Sequence, residues 1–347
     1  MSPRKKTHTV TIRDIATAAN VSVSTVSNVL SGKRQVKSNS GKHVLEVAKE
    51  LGYKKNTNKE VEKVIRFVLY KKYGRIVVDT AFFSELTSSI AKTCRRFGYA
   101  LLITVIDLSL PNSKEHLHQI FSDNQTPLLL LATEMDDSDI KPFLKLNVPL
   151  LVLDSLFPSL PVNTVHIDNY MAGYLATSYL IKKGHHHIGI ILSSLPFNNM
   201  SDRQQGFEAA LCNANLSCRK EDIIYLDPTV EDSKKDMDLF LQNRSHQLPL
   251  PSAFFAANDI LAMGASQSLK SHGYLLPTDI SIIGMDNMPF CLITDPPLTT
   301  LQVSRELLGA AAVERLIDII NSHDDSVIKT AIGSTLIERS SVIDRSL

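Results

Sequence analysis

Val21-Ser22-Val23-Ser24-Thr25-Val26-Ser27-Asn28-Val29-Leu30 decides how the start of the chain folds. Val26, Val29 and Leu30 recur at helical spacing and make one apolar face, with Ser22 placed to cap the first turn. The opposite face carries Val23, Ser24, Thr25, Ser27 and Asn28, all short side chains. Upstream, Ile12, Ile15, Ala16 and Ala19 give a second apolar face. Thr11 and Asp14 form a capping pair ahead of it, and Asn20 tolerates the left-handed geometry that ends a helix. A third helix is predicted over 38–51, with Val44, Leu45, Val47, Ala48 and Leu51 apolar and Gly52 closing it. Two short helices joined by a tight turn, the second exposing small polar groups at its start, suit a DNA major groove. Short hydroxyls and amides reach phosphates and base edges where bulky side chains would not dock.

The ordered run from Thr11 through Leu30, ending at Leu51-Gly52-Tyr53, resembles the DNA-binding headpiece of the lactose/galactose repressor family. The resemblance implies that Val23, Ser24 and Asn28 read bases, Val23 meeting a thymine methyl and Asn28 an adenine. Thr11, Ser22, Thr25, Ser27, Lys37, Tyr53 and Asn56 fall at DNA-backbone positions; Ser22, Thr25 and Ser27 serve phosphates or caps, and Tyr53 packs or touches the backbone. Over 54–63 the family keeps a hinge that drives a leucine into the minor groove. Here Lys59 and Glu62 stand where Ala and Leu are usual, and a glutamate is no apolar wedge. Either Val61 takes that role in a shifted register or the DNA is bent less.

Charge separates the ends of the chain. Residues 1–63 hold thirteen Lys and Arg against five Asp and Glu, while the other 284 of the 347 residues are net acidic and the whole is +1. A basic head on an acidic body is the footprint of a polyanion-binding module joined to something else. The four cysteines lack C-x-x-C spacing, which fits a reducing cytoplasm. The basic start is not followed by the apolar stretch of an export signal, and the longest apolar runs are too short for a bilayer.

From Val64 short apolar runs alternate with amphipathic stretches. Strands are predicted over 65–70, 101–106, 127–133, 148–154, 187–192, 253–257 and 280–285. Helices are predicted over 83–98, 114–122, 170–183, 203–215 and 260–272. Repeated βαβ units argue for parallel sheets wound on both faces, with a cleft outside the strands' carboxyl ends. Asp168-Asn169-Tyr170, Arg203-Gln204-Gln205-Gly206-Phe207, Ala257-Asn258-Asp259, Ile283-Gly284-Met285-Asp286-Asn287 and Leu336-Ile337-Glu338-Arg339 also resemble this family and the sugar-binding proteins that share its fold. The resemblance thus spans nearly the whole chain. It implies an all-α helix-turn-helix headpiece (1–53), a linker (54–63) and a body (64–347) of two doubly wound, periplasmic-binding-protein-like subdomains. One comprises about 64–163 and 298–324, the other 164–297 and 325–347.

The family's cleft holds a small effector. Polyols call for planar charged groups that chelate adjacent hydroxyls and an aromatic face for the C–H side of the ring. Arg203, Asp286 and Asn258 are the expected chelators, and Phe82 and Phe83 the aromatic pair, at least one of them also core. An insertion at 71–80 stands at the cleft mouth, so Asp79, and less directly Tyr73, helps choose the effector or packs on its own Ile76-Val77-Val78. Asp259 caps the helix after it. Adjacent His185-His186-His187 alternate direction on a strand, so they do not converge on one metal; His185 is a structural hydrogen-bonder. The reading is a cytoplasmic, homodimeric regulator, a repressor of carbohydrate genes, on a palindromic DNA operator and answering to a sugar, with no metal or cofactor and no membrane. An α/β sugar-modifying enzyme would need a phosphate-cradling loop, metal pair or nucleophile elbow; a transporter's solute-binding protein would need an export signal and no basic head.

Overall fold

The computed structural model describes residues 10–30, 39–53, 63–74, 81–245, 248–322 and 326–346. The chain divides into two compact units, Met1–Lys63 and Val64–Leu347.

The first unit holds three helices, α1 (Ile12–Ala18), α2 (Val23–Leu30) and α3 (Asn39–Glu50). Thr11 and Asp14 cap α1 reciprocally: the Thr11 amide donates to Asp14 Oδ2 at 2.7 Å and the Asp14 amide to Thr11 Oγ1 at 3.4 Å. Asn20 ends it at φ 51°. Ile15, Ala16, Ala19, Val26, Val29, Val44, Val47 and Ala48 close one small core. The inward face of α3 is narrower than its apolar content implies. Val44, Val47 and Ala48 follow the i, i+3, i+4 stripe, whereas Leu45 and Leu51 fall beside it and are exposed. Among the described residues, no helix of the chain is long and apolar enough to cross a membrane.

In the second unit the chain runs β1 (Lys63–Lys71), α4 (Ala81–Arg96), β2 (Tyr99–Asp107), α5 (Ser113–Phe121), β3 (Leu128–Leu131), α6 (Asp137–Ile140), β4 (Leu150–Leu153) and β5 (Thr164–Ile167). It then crosses to α7 (Asn169–Lys182), β6 (Ile188–Ser193), α8 (Asn198–Asn213), β7 (Ile223–Leu226), α9 (Val230–Asn243), β8 (Ala253–Ala256), α10 (Asp259–Ser271), β9 (Ser281–Met285) and β10 (Thr299–Val303). Helix α11 (Arg305–Asn321) and β11 (Lys329–Ile332) return to the first lobe, and β12 (Ser334–Ile337) ends in the second. The sheets are ordered β11-β5-β4-β3-β1-β2 and β12-β10-β9-β8-β6-β7. All the pairings of the central strands are parallel, and β12 joins β10 antiparallel. Strands such as β3 and β6, buried along their whole length, read as continuous apolar runs because helices cover both faces.

The crossings lie a few residues later than the sequence reading puts them. Thr164–Ile167 pairs with β4 and β11 in the first sheet, and Thr299–Val303 pairs with β9 and β12 in the second. A strand belongs to the sheet that satisfies its amides, so each crossing follows the strand. The sequence reading assigns no element at β5, β7, β10 to β12, α6, α9 or α11, where the periodicity is weak. Within the second lobe α7 packs closely on α8. A Cβ on Gly206 would lie 1.9 Å from the Tyr170 carbonyl oxygen, and one on Gly173 would lie 2.0 Å from that of Arg203. Only hydrogen at those two positions lets the helices approach this closely.

Candidate functional site

Two surfaces carry chemistry, one in each unit. On the headpiece, Val23, Ser24, Ser27 and Asn28 are all exposed while Val26 and Val29 are buried, so the expected reading face of α2 points outward. Ser22 caps the helix: its Oγ accepts from the Thr25 amide at 3.1 Å. The same oxygen lies 2.8 Å from Ser24 Oγ and 2.9 Å from Thr25 Oγ1, a chain of three hydroxyls at the start of α2. The Thr11 hydroxyl donates to Asp14 at 2.8 Å, so it serves the cap of α1. Tyr53 is half-buried against the headpiece core. Lys37 and Asn56 lie outside the described residues.

In the body, Phe82, Phe83, Arg203, Asn258 and Asp286 line a single cavity of about 120 Å³. Asp79 lies outside the described residues. Phe82 and Phe83 open α4 and meet edge to face, with ring centroids 5.2 Å apart. Phe82 also belongs to the core and carries the Arg305 guanidinium over its ring at 5.3 Å, so it packs as well as lines. Arg203, on α8, is buried and held by neutral groups: its Nε donates to Asn169 Oδ1 at 2.8 Å and its Nη1 to the Ala257 carbonyl. These bonds fix its plane, and no ion pair to it occurs among the described residues.

Asp286 follows β9 at φ 113°, a conformation that a non-glycine residue adopts only under constraint. Its carbonyl accepts from Arg305 Nη2, while Arg305 Nη1 donates to Glu85 Oε2 at 2.8 Å, tying α4 to the end of β9. Burial raises the Asp286 carboxyl above the usual carboxylate range, and Arg203 and Arg305 pull it back. Asn258 caps α10 through a 2.8 Å bond from the Leu261 amide, the role expected of Asp259. Asp259 is instead buried and tethers the segment beyond β9, accepting from Thr300 Oγ1 at 2.6 Å, the Met288 amide at 2.8 Å and Cys291 Sγ at 3.1 Å. The cap goes to the residue still in extended backbone, and the next one already points inward. Burial pushes the Asp259 carboxyl up to about 7, helped by Asp286 and opposed by those three donors.

Sequence reasoning missed Thr133, Asp154, Phe197 and Asn199, which line the same cavity. Thr133 and Asp154 each stand just past a strand end, after Leu131 and Leu153, which are register partners. That position was the available signal, since open α/β sheets bind ligands outside their strands' carboxyl ends. Phe197 and Asn199 carried no such mark. The Tyr73 ring, from the inserted segment, lies 6.1 Å from that of Phe197 of the other lobe, tilted by 59°, and the Tyr73 amide donates to Glu134 Oε2 at 2.6 Å. His185 is buried, with Nδ1 2.9 Å from Ser252 Oγ and Nε2 3.2 Å from the Ile343 carbonyl oxygen. Burial, with Arg345 nearby, lowers its pKa to about 4. No cluster of three or more His, Cys, Asp or Glu suited to a metal ion occurs among the described residues.

Residues 11–56 match the family described as bacterial regulatory proteins, lacI family, and residues 177–342 match a periplasmic binding protein-like domain. Two relatives are named HTH-type transcriptional repressor PurR. That of Pasteurella multocida is 31% identical over 96% of this chain and 99% of its own. That of Klebsiella pneumoniae is 32% identical over 96% and 97%. Among solved structures, a transcriptional regulator CelR–cellobiose complex aligns with a TM-score of 0.72 at 24% identity, over 96% of this chain and 99% of that one. A lac repressor dimer bound to operator and the anti-inducer ONPF aligns with a TM-score of 0.72 at 22%, over 97% and 100%. These two share the fold.

Proposed function

The chain belongs to the lacI family of bacterial regulatory proteins, and from that premise we propose a homodimeric, cytoplasmic repressor that grips a palindromic operator and changes its grip when a small effector fills the body cleft. The observation that carries this reading is the convergence of Phe82, Phe83, Arg203, Asn258 and Asp286 on one cavity, in a chain that also carries a helix-turn-helix. Val23, Ser24 and Asn28 read bases; Ser22, Thr25, Ser27, Lys37 and Asn56 hold phosphates. Residues 54–63 link the two units. Dimerisation is supported by the edge strand β2, whose Leu102, Ile103 and Val105 are exposed apolar side chains.

The effector is a small neutral ring. A sugar is the first reading, with Arg203 and Asp286 bonding hydroxyls and a phenylalanine under the C–H face. A purine is the second. The relatives' name PurR points to it, and Phe82, Phe83 and Phe197 give the cavity three aromatic walls for a flat heterocycle. Selection of duplex sites from a random pool, repeated with sugars and with nucleobases, tests the whole reading. A selected palindrome whose affinity shifts with one compound class is expected; indifference to DNA sequence under every condition sinks it. Arg203→Ala should abolish the effector's thermal shift, because ligand binding raises apparent stability by mass action.

A further inference from the structure

The turn after β9 carries two successive residues in the left-handed region, Asp286 at φ 113° and Asn287 at φ 51°, and neither is glycine. Such a turn persists only where its surroundings over-determine it. Its amides and the Asn287 side chain are held by the second lobe. The Asp286 amide donates to the Leu301 carbonyl at 2.8 Å, and the Met288 amide to Asp259 Oδ2 at 2.8 Å. Asn287 Oδ1 accepts from Arg339 Nη2 at 2.6 Å, and its Nδ2 donates to Gln302 Oε1 at 3.2 Å. The carbonyls turn to the other lobe. Arg305 Nη2 donates to both of them, closely to that of Asp286 and at 3.4 Å to that of Asn287. Arg305 is the first residue of α11, which packs in the first lobe.

The first lobe in turn fixes Arg305. Its Nη1 donates to Glu85 Oε2 at 2.8 Å, and its guanidinium lies 5.3 Å from the centre of the Phe82 ring, both residues standing near the start of α4. Helices α4 and α11 pack as a pair: Ser89 Oγ donates to the Glu306 carbonyl at 2.7 Å, and a Cβ on Gly309 would lie 3.0 Å from Ser89. Arg305 is only 8% exposed, and its Nε has no partner among the described residues. Burying a guanidinium with one N–H unpartnered disfavours the fold, whereas a methionine of similar length would pack without that loss. Stability alone does not call for a cation at this position.

We propose that Arg305 is a positioning residue that ties the effector cleft to α4: from the opposite lobe it holds the Asp286–Asn287 turn, so that an effector bonded to the Asp286 carboxylate shifts Glu85 and Phe82 with it. This role rests on the cleft's being the effector site. Arg305 touches three residues of the cavity wall, Phe82, Asp286 and Met288, without lining the cavity itself. The coupling runs through main-chain carbonyls and one buried side chain, with no loop between the turn and α4.

Arg305 also acts on the charge of the turn. Burial raises the Asp286 carboxyl, and Arg203 on α8 and Arg305 on α11 pull it back, while the carboxyls of Asp154 and Asp259 face it as like charges. An ionised Asp286 accepts from an effector's hydroxyls, so affinity is full above its pKa and lost as the pH falls through it. Without the Arg305 cation that loss moves to higher pH, and a lysine moves it back.

The full chain is tested with D-glucose, D-ribose, adenine and guanine as probes and a duplex selected from a random pool as operator. Operator affinity is measured with and without a saturating amount of the probe that raises the wild-type melting temperature, and the ratio is the coupling factor. Arg305→Met should cut that factor at least roughly fivefold, out of the 5- to 150-fold usual for coupled sites, and shift the acid limb of probe binding to higher pH. Arg305→Lys should restore the acid limb but only part of the coupling, because it keeps the charge and loses the planar fork. Glu85→Gln, at an exposed residue outside the cavity, should reduce the coupling with probe affinity as in wild type. It should add nothing in the Arg305→Met background. A merely structural arginine would lower stability and leave the saturated ratio alone; an unchanged ratio in Arg305→Met and Glu85→Gln overturns the proposal. Should Arg305→Met fail to fold, Arg305→Lys and Glu85→Gln carry the same decision. A second readout needs no probe: in ligand-free Arg305→Met, amide hydrogen exchange should quicken together over 286–291 and the first turns of α4. Unchanged exchange in both segments also overturns the proposal. A wild type whose operator affinity answers to none of the probes is a failure of the effector reading, and the exchange result then decides the role of Arg305 alone.

Discussion

The headpiece and the cleft solve recognition in opposite ways. The headpiece takes its exposed reading face from eight consecutive residues, Val23–Leu30, and backs it with a core of eight buried side chains drawn from residues 15 to 48. The cleft draws Phe82, Thr133, Asp154, Arg203, Asn258 and Asp286 from six segments spread over about two hundred residues. A local site is stabilised by few contacts and fails all at once. A distributed site is held by two large sheets and fails by misalignment, since small displacements in a packed interior spread along rigid elements.

The largest effect expected is in the headpiece. Ile15 is fully buried in that small core, so Ile15→Ala should cost about 2–5 kcal/mol and remove operator binding. The body's calorimetric transition and effector response should stay as in wild type. A variant that still bound operator would show the headpiece to be less dependent on its core than this contrast holds.

Gly206→Ala probes the body by the opposite route. The added methyl meets the Tyr170 carbonyl at 1.9 Å, so α7 and α8 must separate, at about 1–3 kcal/mol by overpacking. Arg203 moves with α8, so the effector's thermal shift should shrink although residue 206 does not line the cavity. Urea denaturation and ligand titration of one preparation would separate lost stability from lost alignment.

Asn28→Ala bears on the expected reading face. It should cost about 1–3 kcal/mol of discrimination at one base position, seen as relaxed preference in site selection. Lys37→Ala should instead weaken all duplexes alike and lower the salt slope by about one.

The smallest effect sits at the start of the short helix α6. Asp136 caps α6 through the Ser138 and Asp139 amides and lies 2.5 Å from Lys72 Nζ. Its bond from Lys72, then that from Ser138, holds its carboxyl well below the usual carboxylate range. The stabilisation is therefore present above that range and lost as pH falls through the lowered value. Asp136→Ala should cost about 1 kcal/mol near neutral pH, a cap's worth, because the carboxyl is half exposed and its charge is screened. Melting curves at pH 7 and in acid should converge for wild type and variant. A gap that widened in acid would reverse the sign assigned to Asp136.

What the sequence alone determined is whatever depends on neighbours a few residues apart. Period, caps and the Asn20 turn dictated the three headpiece helices, and alternating apolar runs dictated a doubly wound body. Family resemblance marked five of the cavity's residues because they sit in recognisable strings. Only the tertiary structure brought Asp154 and Asn199 together. Their meeting depends on β4 lying beside β3 with Leu153 opposite Leu131, and on α8 crossing from the other lobe. It also decided that Asn258, not Asp259, caps α10, and that β5 and β10 each pair on the far side of the expected crossings. A short strand or a lone side chain takes its role from the partner that satisfies its polar groups, and that partner is chosen by packing across the whole unit rather than by the residues on either side.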